Sequence, residues 1–244
     1  DLNSCFNTDT VDVVVNNLDH YHDSDLIVAS DGVASFIRDQ HAKEFGADVV
    51  MRPNKFTWLG STKAFDTFTF YFNQNEDGLW RAHCYQYMAG KSTFIIETTE
   101  DTWRRAGLEN ATEEDTITYC SKVFSEELGD EILITNNSIW RTFPRVKNKK
   151  YFHKNIVLLG DALHTAHFSI GSGTKLAMED AVALFDAITE NPNDILLALP
   201  AFREKRQPSV DALQRAAQVS MEWFEDVERY HDILDPMQFS YSLL

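Results

Sequence analysis

Positive charge is what this sequence has least of. Its 22 Lys and Arg stand against 38 Asp and Glu, a formal net charge of −16 over 244 residues. Nucleic acid is excluded as an expected partner, because neutralising phosphates needs a basic face. An anionic membrane surface is disfavoured by the same sign of charge. Cysteine is scarce as well. Cys5, Cys84 and Cys120 lie far apart and form no CxxC pair, which excludes a disulfide framework or a zinc knuckle and fits a reducing, cytoplasmic setting. No apolar run reaches the length of a membrane span, and no signal-peptide pattern opens the chain. An initiator Met is missing too, since the chain opens Asp1-Leu2, as expected of an internal fragment. What remains, 43% hydrophobic and 25% charged residues, is a balance that supports a sizeable core in one large domain or two modest ones.

Apolar strands are expected at Val11–Val15 and Asp25–Ala29. The second ends at Ser30-Asp31-Gly32 and leads into a short helix over Ser35–Glu44, the strand–turn–helix order of α/β construction. After Arg52-Pro53 the pattern changes. Phe68, Phe70 and Phe72 alternate with Thr67, Thr69 and Tyr71, and Trp80–Met88 alternates again with Arg81, His83, Tyr85 and Tyr87 on one side. With Thr93–Thr98 this reads as a twisted antiparallel sheet spanning Phe56–Thr98, its phenylalanine stripe core rather than pocket. A helix is expected at Thr112–Leu128 and a strand at Ile132–Phe143. The basic run Arg145 to Lys154 then reads as a solvated loop, with contact to the phosphates of a CoA ester as the alternative. A strand at Asn155–Leu159 precedes a helix that begins after Gly173 and ends before Asn191-Pro192, with Leu176, Ala177, Ala181, Leu184, Phe185 and Ile188 on its inner face. Further helices are expected from Asp194 to about Tyr230, broken at Pro200 and Pro208.

The chemistry concentrates in GDALHTAHFSIGSGTK, Gly160 to Lys175. His164 and His167 precede a glycine-rich loop rather than sharing a helical face, and no pattern supplies a third ligand, so no metal is expected. Gly171 and Gly173 lie just before a helix, where backbone approaches a ligand closely and unpaired N–H groups face it. Asp161, just past the strand, has the carboxylate to accept from sugar or polyol hydroxyls. Taken alone, the run is equally an ordinary capped turn. A second run, Asp31-Gly32-Val33-Ala34-Ser35-Phe36-Ile37-Arg38, repeats the order of apolar strand, Asp-Gly and helix. His83, Tyr85, Tyr87 and His164 are the groups available to touch a substrate or relay a proton, the alternative being a satisfied sheet face.

DGxxSxxR followed by GDxxH…GxG, each after an apolar strand, resembles the two downstream motifs of the flavin-dependent aromatic hydroxylases of the p-hydroxybenzoate hydroxylase fold. GDALHTAHFSIGSGTKLAMEDA, ALQRAAQVSMEWFEDVERY and DPMQFSYSLL are similar to the branch of bifunctional salicylyl-CoA 5-hydroxylases and 2-aminobenzoyl-CoA monooxygenases. The likeness covers most of the chain and is strongest from Asn155 onward. It implies an α/β (mixed α+β) fold: a partial FAD-binding Rossmann-like domain, an inserted antiparallel substrate-domain sheet and C-terminal helices. The boundaries expected are 1–50 and 151–192 for the FAD-binding domain, 51–150 for the sheet, and 193–244 for helices leading toward a further domain.

The resemblance also implies roles. Asp161, beside Gly160, would hold the ribityl chain of FAD, while Gly171, Ser172, Gly173 and Thr174 would line the isoalloxazine ring. Asp31, Gly32 and Arg38 would serve the pyrophosphate and the path of NADH or NADPH. The aromatic sheet would roof an aromatic substrate, a CoA thioester in this branch, for hydroxylation through a flavin C4a-hydroperoxide. A free aromatic or indole substrate is the alternative. The chain departs from the wider family at Phe168, where that family has Pro, and at Lys175, where it has Asn; both departures suit the acyl-CoA branch. None of the ten glycines forms the GxGxxG of a first βαβ unit. An internal piece of a longer enzyme is therefore expected, or a fragment that does not bind FAD by itself.

Overall fold

A computed structural model describes residues 23–135 and 137–243. Cys5 and the strand expected at Val11–Val15 lie outside the described residues. Strand β1 (Ile27–Ala29) runs into the Asp-Gly turn, and the Ser35 hydroxyl, accepting from the Arg38 N–H, caps helix α1 (Phe36–Gln40). His41, at φ −114° and ψ 28°, interrupts the helix before α2 (Ala42–Phe45), which ends on a left-handed Gly46. The single helix expected over Ser35–Glu44 is thus two.

Strand β2 (Ala47–Ser61) is longer than the alternation suggested and contains Pro53. Its ladder to the later strand runs only from Lys55 to Ser61, so that ladder does not call on the N–H that proline lacks. It is followed by β3 (Thr69–Asn75), β4 (Gly78–Met88) and β5 (Lys91–Thr98), joined by antiparallel pairing. Helix α3 (Glu100–Arg105) precedes α4 (Glu113–Val123), which starts on a capping box between Thr112 and Asp115. Phe124 breaks the helix and α5 (Ser125–Leu128) completes it. The strand expected at Ile132–Phe143 is instead a two-residue β6 (Leu133–Ile134) and the start of β7 (Arg141–Asn148). The basic run is therefore not simply a loop. Its first four residues lie in β7, and Lys147 forms an antiparallel bridge with His164.

After β8 (Phe152–His153) and β9 (Ile156–Leu158) comes the long α6 (Gly173–Glu190). Its buried positions are Leu176, Asp180, Ala183, Leu184 and Ala187, whereas Phe185, expected inside, is 69% exposed. The inner face is rotated because a carboxylate, not a hydrocarbon, occupies its centre. Helix α7 (Ile195–Glu225) runs through both Pro200 and Pro208. Each proline removes one hydrogen bond, and the buried Ala198, Leu199, Phe202 and Val210 anchor the helix on either side of the gaps. Short α8 (Glu228–His231) and α9 (Pro236–Ser242) follow.

The chain divides into two units. The first joins the described residues up to Val49 to Arg145–Ala216. Its sheet has the order β1-β9-β8, with β1 parallel to β9 and β8 antiparallel. Phe45, Val157, Leu158, Leu163, Leu184 and Phe202 form its core. The second unit joins Val50–Pro144 to the described residues from Ala217. Its sheet has the order β3-β4-β5-β2-β6, with β7 also paired to β2. One face packs Trp80, Phe94 and Ile96 against Trp103, Cys120 and Phe124 of the helices. On the other, Phe70 and Phe72 meet Trp223, Phe224 and Phe239.

The β3–β4 turn has the tightest local constraint. Asn75 Oδ1 accepts from the N–H groups of Asp77 and Gly78 and from Trp80 Nε1. Gly78 sits at φ +138°, and a Cβ there would collide with the Thr102 side chain. Gly78→Ala is expected to lower the unfolding free energy by about 3 kcal/mol, measured by urea denaturation.

Candidate flavin site

In the first motif, Asp31 turns its carboxylate inward. Oδ1 accepts from Ser35 Oγ at 2.6 Å and Oδ2 from the Ile37 N–H at 3.2 Å. Gly32 takes φ +80° with open space where a Cβ would be. Arg38 is buried, and its guanidinium meets Asp39 and, at 3.5 Å, the carbonyl of Ala162. In this arrangement Arg38 ties the first motif to the second. Asn148 Nδ2 donates to the same Ala162 carbonyl at 3.2 Å.

The second motif is held from behind by Asp180, which is 0% exposed. Its Oδ2 accepts from the Gly160 N–H at 3.1 Å and lies 2.8 Å from His164 Nε2, while Oδ1 accepts from Arg206 Nε at 2.8 Å. Arg206 also reaches Glu179 at 3.1 Å. Burial alone would raise the Asp180 carboxyl, but His164, Arg206 and the Gly160 amide outweigh it and hold it below the usual carboxylate range. Gly160 is at φ +57°, and a Cβ would stand 3.2 Å from Ala177 Cβ, so only glycine lets the loop lie this close to α6. Sequence reasoning gave Asp180 no part in holding this loop and missed Arg206 and Asn148. The available signal was a charge at the centre of an otherwise apolar helical stripe.

This anchoring leaves Asp161 facing outward. Among the described residues nothing hydrogen-bonds to its carboxylate, and partial desolvation raises its pKa while His164 pulls it back. Gly171, left-handed at φ +60°, and Gly173 both have open space where a Cβ would be. Ser172 gives α6 no side-chain cap, its hydroxyl donating instead to the Ile170 carbonyl at 3.1 Å, and no acidic residue occupies the first turn. An 18-residue helix therefore presents a bare positive end beside a free carboxylate and two glycines.

Residues 7–213 match the family described as FAD binding domain. The chain belongs to that family. Salicyloyl-CoA 5-hydroxylase of Streptomyces sp is 39% identical over 231 residues, 91% of this chain and 45% of that protein. The 3-hydroxy-4-methyl-anthranilyl-(aryl-carrier protein) 5-monooxygenase of Streptosporangium sibiricum is 36% identical over 83% of this chain and 54% of that protein. The chain thus spans about half the length of the curated relatives it matches. The crystal structure of pqsL from Pseudomonas aeruginosa shares the fold, with a TM-score of 0.61 at 22% identity over 85% of this chain and 58% of that chain.

The residues present fit an FAD. Asp161 has free acceptors for hydroxyls, the loop glycines leave room that side chains would fill, and the uncapped end of α6 offers N–H donors. The loop histidines are engaged within the protein, His164 with Asp180 and His167 Nδ1 with Ser169 Oγ at 2.9 Å. In the second unit, His83 is fully buried with Nε2 3.0 Å from Glu97 Oε2. Glu97 Oε1 accepts from Asn54 Nδ2 at 2.6 Å. Tyr85 is half-buried and stacks on Phe68 at 5.3 Å and 14°. Phe68, 45% exposed, and Tyr87, 60% exposed, leave that end of the aromatic face open, unlike the Phe70 and Phe72 end.

Three substitutions test the site's geometry. Asp161→Ala is expected to leave Tm unchanged and weaken FAD binding about tenfold, the loss of a charge-assisted hydrogen bond, read by flavin fluorescence titration. For Asp180 the folded-state pKa lies below the unfolded value. Its contribution is therefore full above about pH 4 and is lost as pH falls through the lowered value. Asp180→Asn is expected to flatten the acid limb of stability against pH. Arg206→Met is expected to cost about 3 kcal/mol in urea unfolding.

Proposed function

We propose that this chain is the flavin-holding part of a monooxygenase that hydroxylates an aromatic ring presented as a CoA thioester. The observation that carries the reading is the pairing of the free Asp161 carboxylate with the open Gly171–Gly173 loop at the uncapped end of α6. When bound, FAD supplies dioxygen activation after reduction by NADH or NADPH. The protein contributes orientation and the exclusion of water. In the second unit the open Phe68–Tyr85 stack offers a flat aromatic surface to a ring. Among the proton-handling candidates, His83 and His164 are sealed against carboxylates, which leaves the Tyr85 and Tyr87 hydroxyls as the ones near the surface. Support for a carried acyl group comes from the relatives, one named for a CoA ester and one for an aryl-carrier protein.

The test is NAD(P)H-dependent oxygen uptake by the intact protein, with salicyloyl-CoA and free salicylate compared and product identified by mass. Hydroxylation of the thioester with a kcat/KM about a hundredfold above that of the free acid is the expected outcome. Equal rates would move the reading to a free aromatic or indole substrate. FAD binding without turnover of either would favour a non-catalytic role.

A further inference from the structure

We propose that the corner where α2 meets β8 binds the phosphates of a phosphorylated adenosine diphosphate group, the tail shared by CoA esters and NADPH. The proposal rests on the reading of the chain as a hydroxylase that uses such molecules. Lys43 lies on α2, Lys149 and Lys150 just before β8, and Lys154 just after it, and all four are exposed. The corner is ordered by backbone and packing rather than by ion pairs. The Lys150 N–H donates to the Phe45 carbonyl at 3.0 Å. The stem of Lys149 lies so close to Gly46 that a Cβ there would stand 3.0 to 3.2 Å from its carbons. The His153 ring is 5.8 Å from that of His41 and 6.4 Å from that of Phe45.

Lys55, Lys175 and Lys205 stand 3.6, 3.5 and 2.7 Å from a carboxylate, whereas Lys63, Lys91, Lys122 and Lys147 form no ion pair among the described residues. What is particular to this corner is that four such lysines lie on adjoining segments. Among the described residues, none of the four corner ammonium groups has a carboxylate within ion-pair distance, although the chain carries a net charge of −16. Glu44 on α2 is the acid nearest in sequence, and Asp48 is already engaged by Arg145 at 2.7 Å. Lysines on adjoining segments without counter-charges offer a polyanion several charge-assisted contacts.

Lys154 supplies an independent observation. Phe152 pairs with Val157 and His153 with Ile156, so Lys154 and Asn155 form the two-residue loop of a hairpin. Lys154 sits at φ +52°, in the left-handed region that such loops normally fill with Gly, Asn or Asp. A lysine adopts that backbone at a cost, and its ammonium makes no contact among the described residues that would offset it. The half-buried rings of His41 and His153 give the same corner a flat surface on which a purine can stack. A small nucleotide tail suits the site better than a large acidic partner. It feels the local cations within a Debye length of about 8 Å, whereas a large acidic partner would meet the chain's overall negative field.

The test is calorimetric titration of the intact protein with adenosine 3′,5′-bisphosphate and, in a parallel arm, adenosine 2′,5′-bisphosphate. Wild type is expected to bind. The Lys149→Ala/Lys150→Ala double variant should weaken binding about tenfold and Lys154→Asn about fivefold, with FAD affinity unchanged. Lys154→Asn should at the same time raise Tm by about 2 °C, so lost affinity cannot be a folding defect. Preference for the 3′ isomer assigns the site to CoA, and preference for the 2′ isomer to NADPH. Unchanged affinity in the variants, or no binding by wild type at millimolar ligand, overturns the proposal. Salicyloyl-CoA turnover indifferent to the lysines would sink the site and spare the hydroxylase reading. Lysine-dependent nucleotide binding without turnover would do the reverse.

Discussion

The buried Asp180 carboxylate is the constraint on which the first unit depends. An ionised group in an apolar interior is tolerated only when it is paired and hydrogen-bonded, and here the Gly160 N–H and Arg206 donate to it while His164 Nε2 stands 2.8 Å away. Two partners come from the strand-end loop and one from α7, so a single charge on α6 fastens all three to one another. The close approach of loop to helix then requires glycine at 160. With the loop's inner side committed to Asp180, Asp161 is left to face outward and the first turn of α6 stays bare. The features that suit a flavin are what remains after the loop has been anchored.

The second unit solves a similar problem with a different geometry. Arg81 is fully buried, and desolvation pulls its guanidinium below its ordinary pKa against the attraction of Glu97. It donates to the Phe224 carbonyl at 2.5 Å, near the C-terminal end of α7, which also receives Asn54 Nδ2 at 3.5 Å. A helix end with unpaired carbonyls is a natural acceptor for a buried cation. Glu97, between Asn54 and His83, completes the network. This polar cluster and the ring packing of Phe70, Phe72, Phe224 and Phe239 close one end of the aromatic face. Only the Phe68–Tyr85–Tyr87 end remains available.

Much of the site was legible because its residues act locally. Asp31-Gly32 and Gly160-Asp161 follow apolar strands, Gly171 and Gly173 precede a helix, and Ser35 caps the residue three positions on; these depend on neighbours in sequence. Alternation placed β3, β4 and β5, and the helix expected from Thr112 does start there. The errors lie where distant groups intervene. Phe185 was expected inside from its spacing, but Asp180 turned the inner face of α6 toward Arg206. Pro200 and Pro208 read as breaks, yet buried neighbours carry α7 through both. The basic run read as a loop, although β7 takes its first four residues and leaves Lys149 and Lys150 at the α2 corner.

Sequence alone determined the two glycine-and-aspartate turns, the strand periodicities and the family, because backbone freedom and side-chain alternation are properties of a few adjacent residues. Only the tertiary structure decided which carboxylate is buried and which is free. Asp161 and Asp180 are chemically the same group, and their roles differ because Arg206, 26 residues beyond Asp180, satisfies one and nothing among the described residues satisfies the other. Desolvation and its compensation are set by what packs around a charge, and no spacing along the chain encodes that.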